Sequence, residues 1–295
     1  TLFIVIVAVL ILLAVCDLSV GVSNDAVNFM NSAVGSKAAR FRTILIVASV
    51  GIFAGATVSN GMMDIARHGI YQPQYFYFSE IMCILVAVML TDVVVLDIFN
   101  SLGMPTSTTV SLVFELLGGT VAYSMVKIIN DSQGILEIGH LMNTDKALTV
   151  ILGIFISVAI AFFFGMLVQY ISRLIFTFNY KKTAKYFIGI FGGIAATSIV
   201  YFMLIKGLKS SPIFSGPFAD YILSHTGTVV LYCFIGFTIL MQILHWLHIN
   251  VFKVIVLMGT FALALAFAGN DLVNFIGVPI ATSWHNMAPS HRIHS

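Results

Sequence analysis

Residues 21–30 read GVSNDAVNFM, and residues 269–276 read GNDLVNFI. The two stretches share the pattern Asn-Asp-x-Val-Asn-Phe, which begins at Asn24 and again at Asn270. Each copy follows a long apolar run. An ionised Asp inside a bilayer is costly unless it is paired, solvated or coordinated. A polar pattern that recurs behind two apolar runs therefore indicates a shared structural or functional role.

The composition is that of a membrane protein. Of 295 residues, 59% are hydrophobic and only 9% are charged, whereas soluble domains carry about 25% charged residues. Stretches of about 20 apolar residues predict bilayer-crossing α-helices, because open sheet edges cannot face lipid. Eight such segments are predicted, at roughly 2–20, 43–65, 79–100, 108–129, 147–176, 187–206, 227–247 and 251–268. The sequence predicts an all-α polytopic protein of the cell (inner) membrane.

Charge and cysteine content exclude several classes of partner. The net charge of +2 is too small to indicate nucleic acid binding. Cys16, Cys83 and Cys233 all lie in apolar stretches, so they are interpreted as small core residues and not as a disulfide framework.

The order of the segments predicts an inverted repeat. Seven predicted crossings separate the two Asn-Asp copies, and because this number is odd the copies enter the membrane from opposite sides. Basic residues are slightly more numerous after the odd-numbered segments, so those loops are predicted to be cytoplasmic and the N-terminus to lie outside. Inverted-topology repeats with discontinuous helices or a re-entrant hairpin are typical of secondary transporters. We expect the two copies to lie close together at mid-membrane, related by an in-plane pseudo-two-fold axis.

The Asn-Asp pairs admit two interpretations. In the simpler one, Asn24 or Asp25 caps a half-helix that starts near Ala26. In the other, the repeated carboxylate and amide oxygens form clusters that suit a hard cation, and sodium is favoured over a proton because a proton needs no such cage. Asn28 and Asn274 each lie one helical turn beyond the first Asn of their copy, on a common face. The predicted cation ligands are Asp25, Asp271, Asn24 and Asn270.

A second polar constellation occupies residues 103–115, GMPTSTTVSLVFE. Pro105 is suited to the first turn of a helix, where its missing N–H is no loss. Four consecutive hydroxyl residues follow it, and hydroxyl donors at a helix N-terminus form a site for an anion. An ordinary Ser/Thr helix cap is the alternative. The short, uncharged connection predicts a break between two helices at membrane depth, near both Asn-Asp elements.

Together these motifs resemble those of a known family. The stretch from Gly21 to Asn28 and its late copy resemble the Gly-Ala-Asn-Asp-Val-Ala-Asn-Ala signature of the inorganic phosphate transporter (PiT) family. Residues 105–109 resemble its Pro-Val-Ser-Thr-Thr motif. The resemblance implies an inverted-repeat symporter, usually dimeric, that moves orthophosphate inward with sodium or protons. It implies that phosphate is bound by Ser107, Thr108, Thr109, Asn24, Asn270, Asn28 and Asn274, with Asp25 and Asp271 serving the cation.

The chain departs from the family pattern in several places. Val110 stands where the family commonly has His, and Asp92, Asp97 and Glu115 are carboxylates that the signature does not explain. They are interpreted as proton relays, except that a helix-end position or interior pairing is favoured for Asp97.

The predicted organisation is a transmembrane transporter domain over 1–280. It comprises a first repeat at about 1–130, connecting helices at about 131–250 and the start of a second repeat at about 251–280. No second hydroxyl motif occurs before Ser295, so the chain is expected to be truncated within the second repeat. Residues 281–295 are expected to form a polar tail outside the fold.

Other classes of protein remain as alternatives. A membrane metalloenzyme is suggested by His245 and His248, three apart at a helix end, and by His285, His291 and His294 in the tail. No carboxylate lies within helical reach of the first pair, and no activated nucleophile is recognisable, so no catalytic residue is predicted. A channel, a sensor for another oxyanion and a transport-inactive fragment are also compatible with the motifs.

Overall fold

The structure is a computed structural model, and it describes residues 2–58, 72, 75–130, 138–176, 180–203 and 217–270. These residues form ten helices and no strand, which confirms the all-α prediction. The helices are α1 (Leu2–Gly35), α2 (Phe41–Val58), α3 (Phe78–Ser101), α4 (Thr108–Ile129), α5 (Ile138–Leu141), α6 (Thr144–Ile175), α7 (Tyr180–Tyr201), α8 (Pro217–Ser224), α9 (Thr226–Trp246) and α10 (Val251–Asn270).

Seven of the described helices are long and apolar enough to cross a bilayer: α1, α3, α4, α6, α7, α9 and α10. The chain is therefore a multi-pass integral membrane protein. The second predicted segment, 43–65, corresponds to α2, whose apolar part Phe41–Thr57 is shorter than these spans. Residues 59–71 lie outside the described residues, so the predicted count of seven crossings between the Asn-Asp copies stays a prediction.

Helix α1 corrects one expectation. It runs without a break from Leu2 to Gly35, so no half-helix starts near Ala26 and the capping interpretation of Asn24-Asp25 is wrong. Its 34 residues correspond to a length of roughly 50 Å, well beyond the ~30 Å hydrocarbon core. The break in helical structure lies instead at residues 102–107, between α3 and α4.

The chain divides into two compact units. The first contains Thr1–Val27, Gly61–Phe155 and Asn270–Ser295. Its described core joins Leu10 and Ala14 of α1 to apolar side chains of α3 and α4. Helices α3 and α4 are joined by a short connection and pack against each other, and a Cβ added at Gly119 of α4 would lie 3.3 Å from the Ile84 side chain of α3. This close packing holds in place the two helices that flank the hydroxyl-rich motif at residues 103–115.

The second unit contains Asn28–Asn60 and Ile156–Gly269. Its described core includes Ile188 of α7, Met241 of α9 and Val251 of α10. Gly193 of α7 lies directly against Thr238 of α9, with no room for a Cβ between the helices. Aromatic side chains of Phe176 and Phe252 pack edge to face in this core, with ring centroids 5.1 Å apart.

The buried face of α1 carries polar residues into the first unit. Buried positions recur every three or four residues, at Leu10, Ala14, Asp17, Gly21 and Asn24, the spacing of one helix face. The apolar members contact the core, and the polar members share the same stripe. Asp17 and Asn24 are thus held by helix packing at fixed positions inside the unit.

Candidate functional site

The tip of the α3–α4 hairpin is built by two helix-end motifs. At the end of α3, Gly103 has a φ of +68°, the left-handed conformation in which glycine is favoured. The N–H of Gly103 donates to Asn100 O at 3.0 Å, and the N–H of Met104 donates to Phe99 O at 2.9 Å. These two bonds form a Schellman motif, which ends a helix and turns the chain.

Helix α4 begins at the hydroxyl-rich motif. Ser107 is the N-cap residue, with an extended backbone, and its hydroxyl accepts a hydrogen bond from the Val110 N–H at 3.4 Å. The helix therefore presents its N-terminus, with its positive partial charge, at Thr108 and Thr109. The predicted break between two helices is confirmed, but it lies at residues 102–107, and Thr108 and Thr109 already belong to α4. The predicted position of the break near the second Asn-Asp copy stays a prediction.

Asn24 ties this tip to α1. Its Oδ1 accepts from the backbone N–H of Thr106 at 2.8 Å, and its Nδ2 donates to Met104 O at 3.2 Å. The side chain is buried, with the residue 3% exposed. Because both ends of the amide are engaged by the hairpin backbone, Asn24 fixes the register between α1 and the hairpin tip.

Asp25 lies against the start of α4. The Thr108 hydroxyl donates to Asp25 Oδ2 at 3.2 Å, and Asp25 and Thr108 are 3% and 1% exposed. A buried carboxylate therefore faces a helix N-terminus and a hydroxyl, both of which favour negative charge. Among the described residues no three His, Cys, Asp or Glu side chains are grouped to hold a metal ion. Among the described residues, a cation bound beside Asp25 would be held by amide, hydroxyl or backbone oxygens, a ligand set that suits a hard ion.

Comparison with known proteins identifies the family. The sequence model of the phosphate transporter family matches residues 21–293. The chain belongs to the phosphate transporter family. Because this is a family of transporters and not of enzymes, the metalloenzyme alternative is set aside. The two motifs at 21–30 and 103–115 both lie inside the matched range.

Individual relatives agree with this membership. Proteins named "putative phosphate permease" in Pyrococcus horikoshii and Pyrococcus furiosus are each 27% identical to the chain, over 279 and 205 residues respectively. The alignments cover 88% and 66% of this chain but 62% and 45% of those relatives. A third relative with that name, in Thermococcus kodakarensis, is 31% identical over 37% of the chain and 27% of its own length. The chain thus aligns with less than two thirds of each relative's length.

A solved structure shares the fold. A protein described as the sodium-dependent phosphate transporter superposes with a TM-score of 0.71 at 19% sequence identity, covering all of this chain and 71% of its own. At that identity the likeness concerns the fold alone. It is the fold expected of a member of the phosphate transporter family.

The structure brings part of the predicted site together. Asp25 contacts Thr108, and Asn24 contacts the neighbouring Thr106. Ser107 is exposed, and Thr109 is partly buried. Asn28 is exposed on α1, one turn beyond Asn24. Asn270 ends α10, but its side chain, Asp271 and Asn274 lie outside the described residues. The predicted pairing of the two copies therefore stays a prediction.

Sequence reasoning missed Asp17. Its carboxyl group is within hydrogen-bonding reach of Asp92 on α3, and Asp92 also reaches Glu115 on α4. Asp17 and Asp92 are 0% and 1% exposed, so these two carboxyl groups meet in the interior of the unit, and the interpretation of Asp92 and Glu115 as proton relays stays a prediction. The signal was present in the sequence, because Asp17 lies seven residues before Asn24 and hence on the same helix face. Asp97 is exposed near the end of α3 and does not join this group.

Proposed function

We propose that this protein is a secondary active transporter that carries inorganic phosphate together with sodium. Membership in the phosphate transporter family supports the substrate, and the solved structure with the same fold is described as sodium-dependent. The observation that carries the proposal is that Asn24 bonds to the backbone of the hairpin tip and Asp25 accepts from Thr108 at the start of α4. It joins the two motifs of the sequence into a single site.

In this proposal the start of α4 receives the phosphate. Thr108 and Thr109 stand in the first turn, where hydroxyl groups and the helix dipole favour an anion. Ser107 is exposed at the same tip, and Asn24 and Asn28 on α1 complete the first half of the phosphate site. Asn270 and Asn274 of the second copy are proposed to supply the equivalent half. The tip has no Lys or Arg between residues 101 and 115, so phosphate is held by dipoles and can be released.

Asp25 explains why a cation must accompany phosphate. A carboxylate and a phosphate dianion repel each other strongly in a medium of low dielectric constant. A sodium ion bound by Asp25, with oxygen atoms of Asn24 and of the second copy's Asn270 and Asp271, removes that repulsion. Sodium would then raise the affinity for phosphate, and by linkage phosphate would raise the affinity for sodium to the same extent.

The test is phosphate uptake by the full-length protein reconstituted in liposomes. Asp25→Asn keeps the shape of the side chain and an oxygen that can accept from Thr108, but it removes the charge. We expect sodium-driven uptake to fall by about tenfold or more, since each 1.4 kcal/mol of lost binding energy is a factor of ten. Asp97→Asn removes an exposed carboxylate of α3 and serves as the control with parental uptake. Unchanged sodium dependence in Asp25→Asn would refute the role of Asp25.

Counterflow distinguishes a carrier from a channel. Liposomes loaded with unlabelled phosphate should accumulate labelled phosphate transiently, because a carrier exchanges bound substrate across the membrane. A flux that does not saturate and shows no exchange would contradict the transporter and indicate a channel. Absence of any flux, with phosphate binding retained, would indicate a sensory protein.

A further inference from the structure

Two buried carboxyl groups and a partly buried one meet in the first unit, away from the signature motif. Asp17 on α1 is within hydrogen-bonding reach of Asp92 on α3, and Asp92 is within reach of Glu115 on α4. The Ser111 hydroxyl donates to Glu115 Oε1 at 2.7 Å and also lies within reach of Asp92. We call Asp17, Asp92 and Glu115 the carboxyl chain. It links three helices by side chains alone.

Four oxygen atoms of the carboxyl chain have no hydrogen-bond donor. Neither carboxylate oxygen of Asp17 accepts a hydrogen bond from an N–H or O–H group, and the same holds for Asp92 Oδ1 and Glu115 Oε2. All four atoms are buried, and a buried polar atom without a partner needs a physical explanation. By contrast, Glu80 in the same unit pairs with Lys127, with Nζ and Oε2 2.7 Å apart.

No described cation compensates the charge. The groups that face one another across α1, α3 and α4 are Asp17, Asp92, Glu115 and the neutral Ser111. No Lys, Arg or His of the described chain forms an ion pair with them. Carboxylates in contact cannot all ionise together, and such pairs share protons. The three groups are not arranged to enclose a metal ion, whereas a proton shared between two carboxyl groups supplies the missing donor.

A groove connects the carboxyl chain with the hairpin tip. It lies between α3 and α4, has a volume of about 530 Å³, and is lined by Thr106 at the tip and by Thr91, Ser111 and Glu115 further along. Thr106 is the residue whose N–H donates to Asn24. Glu115 lines this groove and would meet water in it, whereas Asp17 and Asp92 are fully buried.

We propose that Asp17, Asp92 and Glu115 form a proton-binding site that exchanges protons with the α3–α4 groove through Glu115. A proton from water binds a Glu115 carboxylate oxygen, and transfer to Asp92 and then to Asp17 moves the charge inward without any other reactant. Release follows the same path in reverse. The site is separate from Asp25, so it adds a proton requirement to uptake beside the sodium requirement.

Infrared difference spectroscopy tests proton binding without relying on transport. The full-length protein in lipid is taken from alkaline to acidic pH, and the C=O stretch of protonated carboxylic acids is followed. We expect Glu115→Gln and Asp17→Asn each to remove part of this signal, while Asp97→Asn leaves the buried component unchanged. Glu115→Gln borders the groove and keeps the readout available should Asp17→Asn fail to fold. Identical buried-acid signals in parent, Glu115→Gln and Asp17→Asn would overturn the proposal.

Uptake provides a second readout, which rests on the proposed phosphate transport. At a fixed sodium gradient, an imposed inward proton gradient should raise uptake by the parent, by up to about tenfold per pH unit if one proton accompanies each phosphate. Phosphate itself titrates, but it does so identically for parent and variant. Glu115→Gln should therefore lose the proton stimulation while keeping its sodium dependence, the opposite of Asp25→Asn. The same response to pH in Glu115→Gln and the parent would also overturn the proposal. Absence of uptake in every sample would refute the transport function alone, and the infrared result would then decide whether the proton-binding site exists.

Discussion

Helix α1 carries two buried polar sites that differ in their hydrogen-bond partners. At Asn24 and Asp25, backbone groups and a hydroxyl of the hairpin tip supply hydrogen-bond partners. At Asp17, seven residues before Asn24 on the same face, no N–H or O–H group donates to either oxygen. The difference follows from the neighbouring backbone. A helix break exposes N–H and C=O groups, whereas Asp17, Asp92 and Glu115 face continuous helices whose backbone groups are already paired.

The comparison indicates that the two regions of α1 have different roles, one in binding a ligand and the other in binding a proton. The broken region can hold a polar side chain firmly and still offer dipoles to a ligand. The unbroken region can satisfy a carboxyl group only through side chains or a mobile proton. The following predictions test whether the two sites differ in this way.

Removing the hydrogen bonds of Asn24 to the hairpin tip should have the largest effect on the free energy of unfolding. Asn24→Ala deletes the bonds to Thr106 N–H and Met104 O and leaves both groups without that partner, at a cost of roughly 2–3 kcal/mol. The measurement is thermal unfolding in detergent. Ser23→Ala changes the exposed neighbouring residue and should unfold with the parent. Equal unfolding temperatures for the two variants would show that Asn24 does not hold the tip.

A substitution in the turn at the hairpin tip should have the second-largest effect on stability. Gly103→Val places a β-branched residue at a φ of +68°, which costs roughly 1–2 kcal/mol. Gly118→Ala is the matched control, because a Cβ there meets nothing within 4 Å and alanine favours the helix by about 1 kcal/mol. The first variant should unfold at lower temperature and the second at equal or higher temperature. If Gly103→Val unfolds with the parent, the Schellman motif does not set the tip.

The same substitution at the two sites should act in opposite directions. Asp17→Asn removes a like charge and provides an amide donor to Asp92, so it should stabilise the protein by about 1 kcal/mol at alkaline pH. Asp25→Asn weakens the charge-assisted bond from Thr108 and should destabilise by about 1 kcal/mol. Unfolding curves recorded at one alkaline pH decide the sign. A shift in the same direction for both variants would contradict the comparison.

The helix cap should have the smallest effect. Ser107→Ala removes a bond of 3.4 Å at an exposed residue, so we expect a loss of about 0.5 kcal/mol, at the low end for N-caps. Ser107→Asn retains a capping acceptor and should restore the stability. If Ser107→Ala weakens phosphate binding while stability is unchanged, the hydroxyl acts on the ligand and not on the helix.

Much of the fold follows from local sequence. Long apolar runs determine the spanning helices, and Pro105 with Ser107 marks the start of α4. The continuity of α1 through Asn24 and Asp25 could not be predicted in this way. These residues remain helical because their partners come from residues 80 or more positions later, and such tertiary contacts are not visible in a local pattern.

Only part of the candidate site could be predicted from the sequence, because tertiary contacts are not visible in a local pattern. Asp25 and the hydroxyl motif were identified because each belongs to a recognisable local pattern. Asp17 belongs to none, and only its spacing from Asn24 along the buried stripe could have indicated it. Its meeting with Asp92 and Glu115 depends on how α1, α3 and α4 pack, and helix packing is not fixed by the composition of any single helix.

The central claim is that a cation at Asp25 makes the tip of the α3–α4 hairpin suitable for phosphate. Equilibrium binding of labelled phosphate to the purified full-length protein, measured at increasing sodium concentration, tests it most directly. In the parent, sodium should lower the phosphate Kd by roughly 5–150-fold, the usual range for linked sites. In Asp25→Asn the phosphate Kd should be weak and independent of sodium. A parent whose phosphate Kd does not change with sodium, or an Asp25→Asn variant that keeps the full sodium effect, would contradict the account.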